Sequence, residues 1–171
     1  MRVLIAAGGT GGHIYPGVTV AQVLKNEGAE VIFVGTKRGL EADVVPRAGF
    51  TLRTVSAHHI PRKLSWQVPR ALAIALKGTF QAARVIRDFR PHVVMGTGGY
   101  VSGPVLLAAT LLRYPTLIHE QNAYPGITNR LLARRVDRIA VGYAEAASYF
   151  PSAKTVVTGN PVRPEIVSCR R

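Results

Sequence analysis

Two side chains in this sequence have the chemistry to move a proton beside a bound anion. His13 closes the run Gly8-Gly9-Thr10-Gly11-Gly12-His13, and Glu120 stands in His119-Glu120-Gln121-Asn122-Ala123-Tyr124-Pro125-Gly126. An imidazole titrates near neutrality, so His13 is a candidate general base. Glu120 fits a base, a partner that orients a histidine, or a solvated carboxylate, and spacing alone leaves these open. His58 and His59 fall in a polar loop and His92 at the start of a strand, where histidine is read as surface or structural.

Glycine supplies what an anion needs around such a base. Several N–H groups can converge on a phosphate where a glycine-rich turn enters a helix. Residues 8–13 carry four glycines around one threonine, more than a tight strand-to-helix turn requires. The dinucleotide fingerprint is not met, because Ile14 stands where its third glycine belongs, and no Gly-Lys-Ser/Thr follows for a P-loop. A second such run, Gly96-Thr97-Gly98-Gly99-Tyr100-Val101-Ser102-Gly103-Pro104, again follows an apolar segment. If both loops share one edge of a sheet they make a broad, donor-rich site suited to a diphosphate. Tyr100 is either a packed ring or a ligand contact. In the third loop Gln121 and Asn122 both donate and accept, as sugar hydroxyls require.

The elements that must position these loops alternate. Short apolar runs at 3–7, 31–35, 51–55, 93–95, 116–118, 138–141 and 154–157 read as strands, most of them buried parallel ones. Between them, helical spacing is expected over 18–27, 40–48, 67–89 (broken near Pro69 and Gly78), 105–112, 128–135 and 145–149. This predicts an α/β fold, a Rossmann-like doubly wound parallel sheet, with ligands beyond the carboxyl ends of its strands. Residues 1–163 form one domain. Residues 164–171, after the Gly159-Asn160-Pro161-Val162-Arg163-Pro164 stretch, read as the start of a linker to a further domain that is missing here.

Composition narrows the partners. The chain has 171 residues, with 22 Lys and Arg against nine Asp and Glu, a net charge of +13. That excess implies an anionic partner. Basic residues are spread along the chain and aromatics are only 7%, which disfavours a nucleic-acid groove built on stacking. Cys169 alone provides no disulfide, and no metal-ligand spacing exists, so neither a metal nor a cofactor is implied. The N-terminal run is too short for a signal peptide and no run of about 18 apolar residues spans a bilayer. A soluble or peripheral, cytoplasmic location is expected.

One stretch suggests where an anionic surface would bind. Arg62, Lys63, Trp66, Arg70, Ile74, Lys77 and Phe80 combine cations with apolar bulk. Leu72, Leu76, Val85 or Ile86, and Phe89 are expected to pack on the sheet, leaving Trp66, Ile74 and Phe80 for a second face. Such a face suits docking on an anionic leaflet, with an ordinary solvated helix face as the alternative.

Taken in order, the two glycine loops, His119-Glu120-Gln121-Asn122 and Gly159-Asn160-Pro161-Val162-Arg163 resemble the motifs of the MurG family of N-acetylglucosaminyltransferases, from Met1 to about Arg163. The resemblance implies the N-terminal, acceptor-binding half of a GT-B glycosyltransferase. Its reaction carries N-acetylglucosamine from UDP-N-acetylglucosamine to the 4-hydroxyl of undecaprenyl-diphospho-muramoyl-pentapeptide, with inversion and without a protein-bound metal. It further implies that Gly8, Gly9, Gly98, Gly99, Ser102 and Gly103 hold the acceptor diphosphate, with His13 as general base and Glu120 and Tyr100 near the acceptor. Thr10, Gly11, Gly12, Asn122 and Arg163 would complete the donor site. A peripheral place on the cytoplasmic face of the inner membrane follows from the lipid anchor. The rival readings are a non-catalytic diphosphate- or membrane-binding half of a split glycosyltransferase, and a nucleotide-binding Rossmann-like module. With no second domain, the chain alone is expected to be inactive.

Overall fold

In a computed structural model of the chain, residues 1–58 and 68–163, together with Ile166, are described; the side chains of Val68 and Arg70 are not. The sheet has seven parallel strands in the order β3-β2-β1-β4-β5-β6-β7. They are β1 (Arg2–Ala6), β2 (Glu30–Gly35), β3 (Thr51–Thr54), β4 (Val93–Gly96), β5 (Thr116–Glu120), β6 (Arg138–Val141) and β7 (Thr155–Val157). Parallel strands need crossovers, and among the described residues six α-helices supply them: α1 (Gly11–Asn26), α2 (Glu41–Arg47), α3 (Val68–Phe89), α4 (Gly99–Leu111), α5 (Ile127–Leu132) and α6 (Ala144–Ala147).

The apolar strand runs are continuous because both faces are covered. On one face Ile5, Phe33 and Met95 pack beneath Ile14, Val18 and Ala21 of α1 and Val45 of α2. On the other, Leu4, Val34, Val94 and Ile139 pack beneath Ala82 and Ile86 of α3, Val105 and Leu106 of α4, and Leu132 of α5. The strand order reverses between β1 and β4, which pair from Val3–Val93 to Ala6–Gly96. Ligands bind at such a reversal in wound sheets.

Three details differ from expectation. Helices α1 and α4 begin at Gly11 and Gly99, inside the glycine loops, rather than near Val18 and Val105. Pro16 and Pro104 are therefore each the sixth residue of a helix, where the missing N–H leaves the carbonyl four residues back without its helical partner. Helix α3 is unbroken at Gly78, because this glycine makes room for the carbonyl of Ser56, which a Cβ would overlap. Leu72 and Leu76 do not pack on the sheet. They are 57% and 52% exposed, and Ala71, Gly78, Ala82 and Ile86 form the buried face instead. Val85 and Phe89 pack, partly buried, against the core as expected.

Candidate functional site

The two glycine loops emerge from β1 and β4 side by side and touch. A Cβ on Gly99 would overlap the carbonyl oxygen of Gly8, and one on Gly9 would sit 3.2 Å from the ring of Tyr100. Gly98 and Gly99 have φ of 98° and 77°, conformations open to glycine but strained for other residues. The turn at 98–99 lets α4 start directly against α1. Two helix N-termini, of 16 and 13 residues, therefore open onto one place. The N–H groups of a first helical turn have no intrahelical acceptor, and the helix dipole adds partial positive charge there. Gly11 and Gly12 of α1, with Gly99 and Tyr100 of α4, present that combination.

His13 lies between the loops. Its ring packs against Gly98, where any Cβ would collide with it. Its Nδ1 is 3.0 Å from Thr10 Oγ1, which occupies the hydroxyl that would otherwise cap α1. For Nε2 to accept a proton, Nδ1 must carry the hydrogen and donate it to Thr10 Oγ1. Burial lowers the His13 pKa, and the nearby Glu120 carboxylate partly offsets this. The imidazole is thus held neutral at pH 7, the form a base needs.

Glu120 is 1% exposed and fully committed. Oε1 accepts from the N–H of Asn122 (3.0 Å) and from Asn122 Nδ2 (2.9 Å), and Oε2 from the N–H of Gly126 (3.0 Å) and Asn129 Nδ2 (2.9 Å). Four donors shape the loop 121–129 around one carboxylate. Both oxygens are thus occupied by that loop, and the charge works against the effect of burial at His13.

Other expected diphosphate ligands turn out to brace the cradle. Ser102 is fully buried; its Oγ is 2.6 Å from the Gly98 carbonyl and 3.0 Å from that of Ala6, and it accepts from the Gly98 N–H. Its hydroxyl lies beneath the loop and does not face a ligand. Gly103 is the fifth residue of α4, so its N–H belongs to the helix, and a Cβ there would meet Thr128 at 3.4 Å. Gly8 is buried, and the Gly9 N–H points to Glu41 Oε2 at 3.3 Å. The remaining expected residues lie at the start of α1, on the loop after β5 and on the segment after β7. Thr10, Gly11 and Gly12 open α1, exposed Asn122 follows Glu120, and the Arg163 guanidinium lies over the Tyr15 ring, 5.1 Å from its centre.

Sequence reasoning missed Glu41. It is fully buried, accepts from the N–H and hydroxyl of Thr36 at 2.9 and 2.7 Å, and ties the exit of β1 to that of β2. Cβ atoms on Gly8, Gly35 or Gly39 would all intrude on it. The concentration of glycines around Gly39-Leu40-Glu41 was the available signal. Among the described residues no group of His, Cys, Asp and Glu could hold a metal.

Of the cationic apolar stretch, Arg62, Lys63 and Trp66 lie outside the described residues, as does the Arg70 side chain. Phe80 is 73% exposed and aligns with Leu72 and Leu76 at four-residue spacing along α3, and Lys77, Arg84 and Arg87 are exposed beside them. Ile74 is half-buried. Among the described residues no helix is long and apolar enough to cross a membrane.

A wound parallel sheet with two helix starts at its switch point makes the chain a Rossmann-like domain. The chain belongs to the glycosyltransferase family 28 N-terminal domain family, matched over residues 3–141. It is 53% identical, over its whole length, to the UDP-N-acetylglucosamine–N-acetylmuramyl-(pentapeptide) pyrophosphoryl-undecaprenol N-acetylglucosamine transferase of Caldanaerobacter subterraneus subsp. tengcongensis, and covers 48% of that relative. A transferase of the same description from Lactococcus lactis subsp. cremoris is 52% identical over 97% of the chain, which covers 47% of it. The chain thus spans about half the length of the curated relatives it matches. The crystal structure of Acinetobacter baumannii MurG superposes with a TM-score of 0.80 at 35% identity, covering 98% of this chain and 47% of that one. A UDP-GlcNAc 2-epimerase from Neisseria meningitidis, at 18% identity and TM-score 0.69, shares the fold; 94% of this chain and 47% of that one are covered.

Proposed function

We propose that this chain is the acceptor-side half of an inverting transferase that moves N-acetylglucosamine from UDP-N-acetylglucosamine to undecaprenyl-diphospho-muramoyl-pentapeptide in peptidoglycan synthesis. The observation that carries the reading is the His13 ring set between two helix N-termini, against Gly98 and 3.0 Å from Thr10 Oγ1. The helix starts at Gly11–Gly12 and Gly99–Tyr100 hold phosphoryl oxygens through backbone N–H groups. The acceptor 4-hydroxyl attacks the anomeric carbon of the sugar, the bond to the UDP oxygen breaks, and the hydroxyl proton passes to His13 Nε2. Thr10 fixes the ring, and Asn122 and Arg163 face the nucleotide sugar, most of whose pocket a second domain supplies.

The test is to combine this chain with the C-terminal half of the 53% identical relative and measure product from donor and acceptor. The pair should turn over, this chain alone should not, and His13→Ala should cost the pair about 10²–10⁴-fold in rate. On acidification, activity should hold to a pH below the ordinary histidine value and then fall, because burial lowers the His13 pKa and the protonated ring is no base. A His13→Ala pair with unimpaired turnover would remove His13 from the chemistry.

The outer face of α3 supports a peripheral place on the anionic cytoplasmic face of the inner membrane. Leu72, Leu76 and Phe80 each offer about 1.5–3 kcal/mol on burial, and each cation near anionic lipid on the order of 1 kcal/mol. Phe80→Glu should cut binding to vesicles containing anionic lipid by more than tenfold, and salt should weaken the unmodified chain. Equal binding of both proteins in co-sedimentation would place the membrane contact elsewhere.

A further inference from the structure

The buried groups that the proposed chemistry leaves idle form a connected chain of hydrogen bonds. His119, on β5, is 2% exposed. Its Nδ1 is 3.0 Å from Gln121 Nε2, and its Nε2 is 3.3 Å from the carbonyl oxygen of Gly159. Gln121 Nε2 also donates to the carbonyl of Thr97 at 2.8 Å.

The directions of these bonds are fixed by chemistry. The Thr97 carbonyl only accepts, so the Gln121 amide must turn its nitrogen toward it, even though this leaves Oε1 buried without a partner. The second amide hydrogen then lies between His119 Nδ1 and the His119 carbonyl, 3.3 Å away; at 3.0 Å from the amide nitrogen, Nδ1 has room for no hydrogen of its own and must accept. The imidazole proton is therefore on Nε2, donated to Gly159. Only one neutral tautomer satisfies the chain of bonds.

The segment it holds takes an unusual course. After β7, at the sheet edge, Gly159 adopts φ 74°, and Asn160 Nδ2 donates to the Gln121 carbonyl at 3.1 Å. The Asn160 side chain fills the place a Cβ on Gly142 would need. The chain then runs back across the carboxyl ends of the strands until Arg163 stacks on Tyr15 of α1. At the far end, Thr97 Oγ1 donates to the carbonyl of His13 at 2.7 Å.

We propose that His119 is a positioning residue, a latch whose Nε2–H clips residues 158–163 over the carboxyl edge of the sheet and, through Gln121 and Thr97, keys that segment to the turn carrying His13. Its functional part, the placing of Arg163 beside α1, rests on the transferase reading, whereas the latch itself stands without it. The experiment reads the latch alone, on the 171-residue chain. Long-range proton–nitrogen correlation at neutral pH should show His119 as the Nε2–H tautomer; an Nδ1–H tautomer or an imidazolium overturns the proposal. In hydrogen exchange, His119→Phe should speed the Thr158 amide, which donates to the Val141 carbonyl, and the Asn160 side-chain amide, which donates to the Gln121 carbonyl, about tenfold, the loss of one buried hydrogen bond, with β1 and β4 unchanged. His119→Gln places an amide N–H near the lost Nε2–H and should restore most of the protection. Unaltered exchange in His119→Phe, or no recovery in His119→Gln, overturns it too. Should His119→Phe not fold, the tautomer and the comparison of His119→Gln with the unmodified chain decide.

Discussion

Gly99→Ala should destabilise the chain by about 2–5 kcal/mol and abolish diphosphate binding at the paired loops. Two costs add. At φ 77° a side chain costs about 1–2 kcal/mol. The new Cβ would also overlap the Gly8 carbonyl, and because the obstacle is backbone, no rotamer change relieves it; forced overpacking costs about 1–3 kcal/mol. Relief requires the two loops to part, which separates the helix starts that face one anion. Gly28→Ala is the control. Its φ is 78°, yet a Cβ there meets nothing within 4 Å, so it isolates the conformational cost. Thermal unfolding and titration with an undecaprenyl-diphosphate analogue check the pair. If both variants lost the same stability and Gly99→Ala kept its affinity, the loops would not be acting together.

Glu120→Ala is expected to cost about 2–4 kcal/mol, because hydrogen bonds to a charged group contribute about 1.5–3 kcal/mol and a buried donor left without its acceptor costs about 1–3 kcal/mol. Four donors, the N–H groups of Asn122 and Gly126 and the amides of Asn122 and Asn129, would lose their acceptor, and the buried Asn129 amide is the one that water cannot readily satisfy. Glu120→Gln should lose less, since one oxygen remains, but its amide nitrogen must face other donors. The variant also removes the charge that partly offsets burial at His13. The His13 pKa should therefore fall further, which a proton NMR titration of its ring measures. A Glu120→Ala chain of undiminished stability, with His13 titrating as before, would return Glu120 to the list of proton carriers.

The fold was legible because parallel strands buried on both faces leave unbroken apolar runs, which marked the central strands, while the largely exposed edge strands β3 and β7 showed through their Thr and Val residues. The glycine loops were legible as loops, but their helical starts were not. Glycine and proline are poor helix formers, so Gly11–Pro16 and Gly99–Pro104 read as irregular until tertiary contacts held them. On α3 the pattern misled for a different reason. The helix packs through small residues, Ala71, Gly78 and Ala82, while Leu72, Leu76 and Phe80 face outward, an inversion of the usual preference. At the site, His13 stood out by position. Glu41 went unnoticed and Ser102 was expected to hold a ligand, because which polar group faces a ligand and which braces a turn depends on three-dimensional neighbours that spacing does not report.

The adjacency of β1 and β4 has a consequence for how the site comes into being. Arg2 and His92, joined by a 2.9 Å hydrogen bond at the base of this pair, are 90 residues apart. Nothing local brings the helix starts at 11 and 99 together; the contact forms only after a large excursion of chain has been closed, a slow event in folding. Binding competence should thus arrive late and all at once during refolding, tracking the consolidation of the central strands, and a fragment ending before residue 93 should retain no fraction of it.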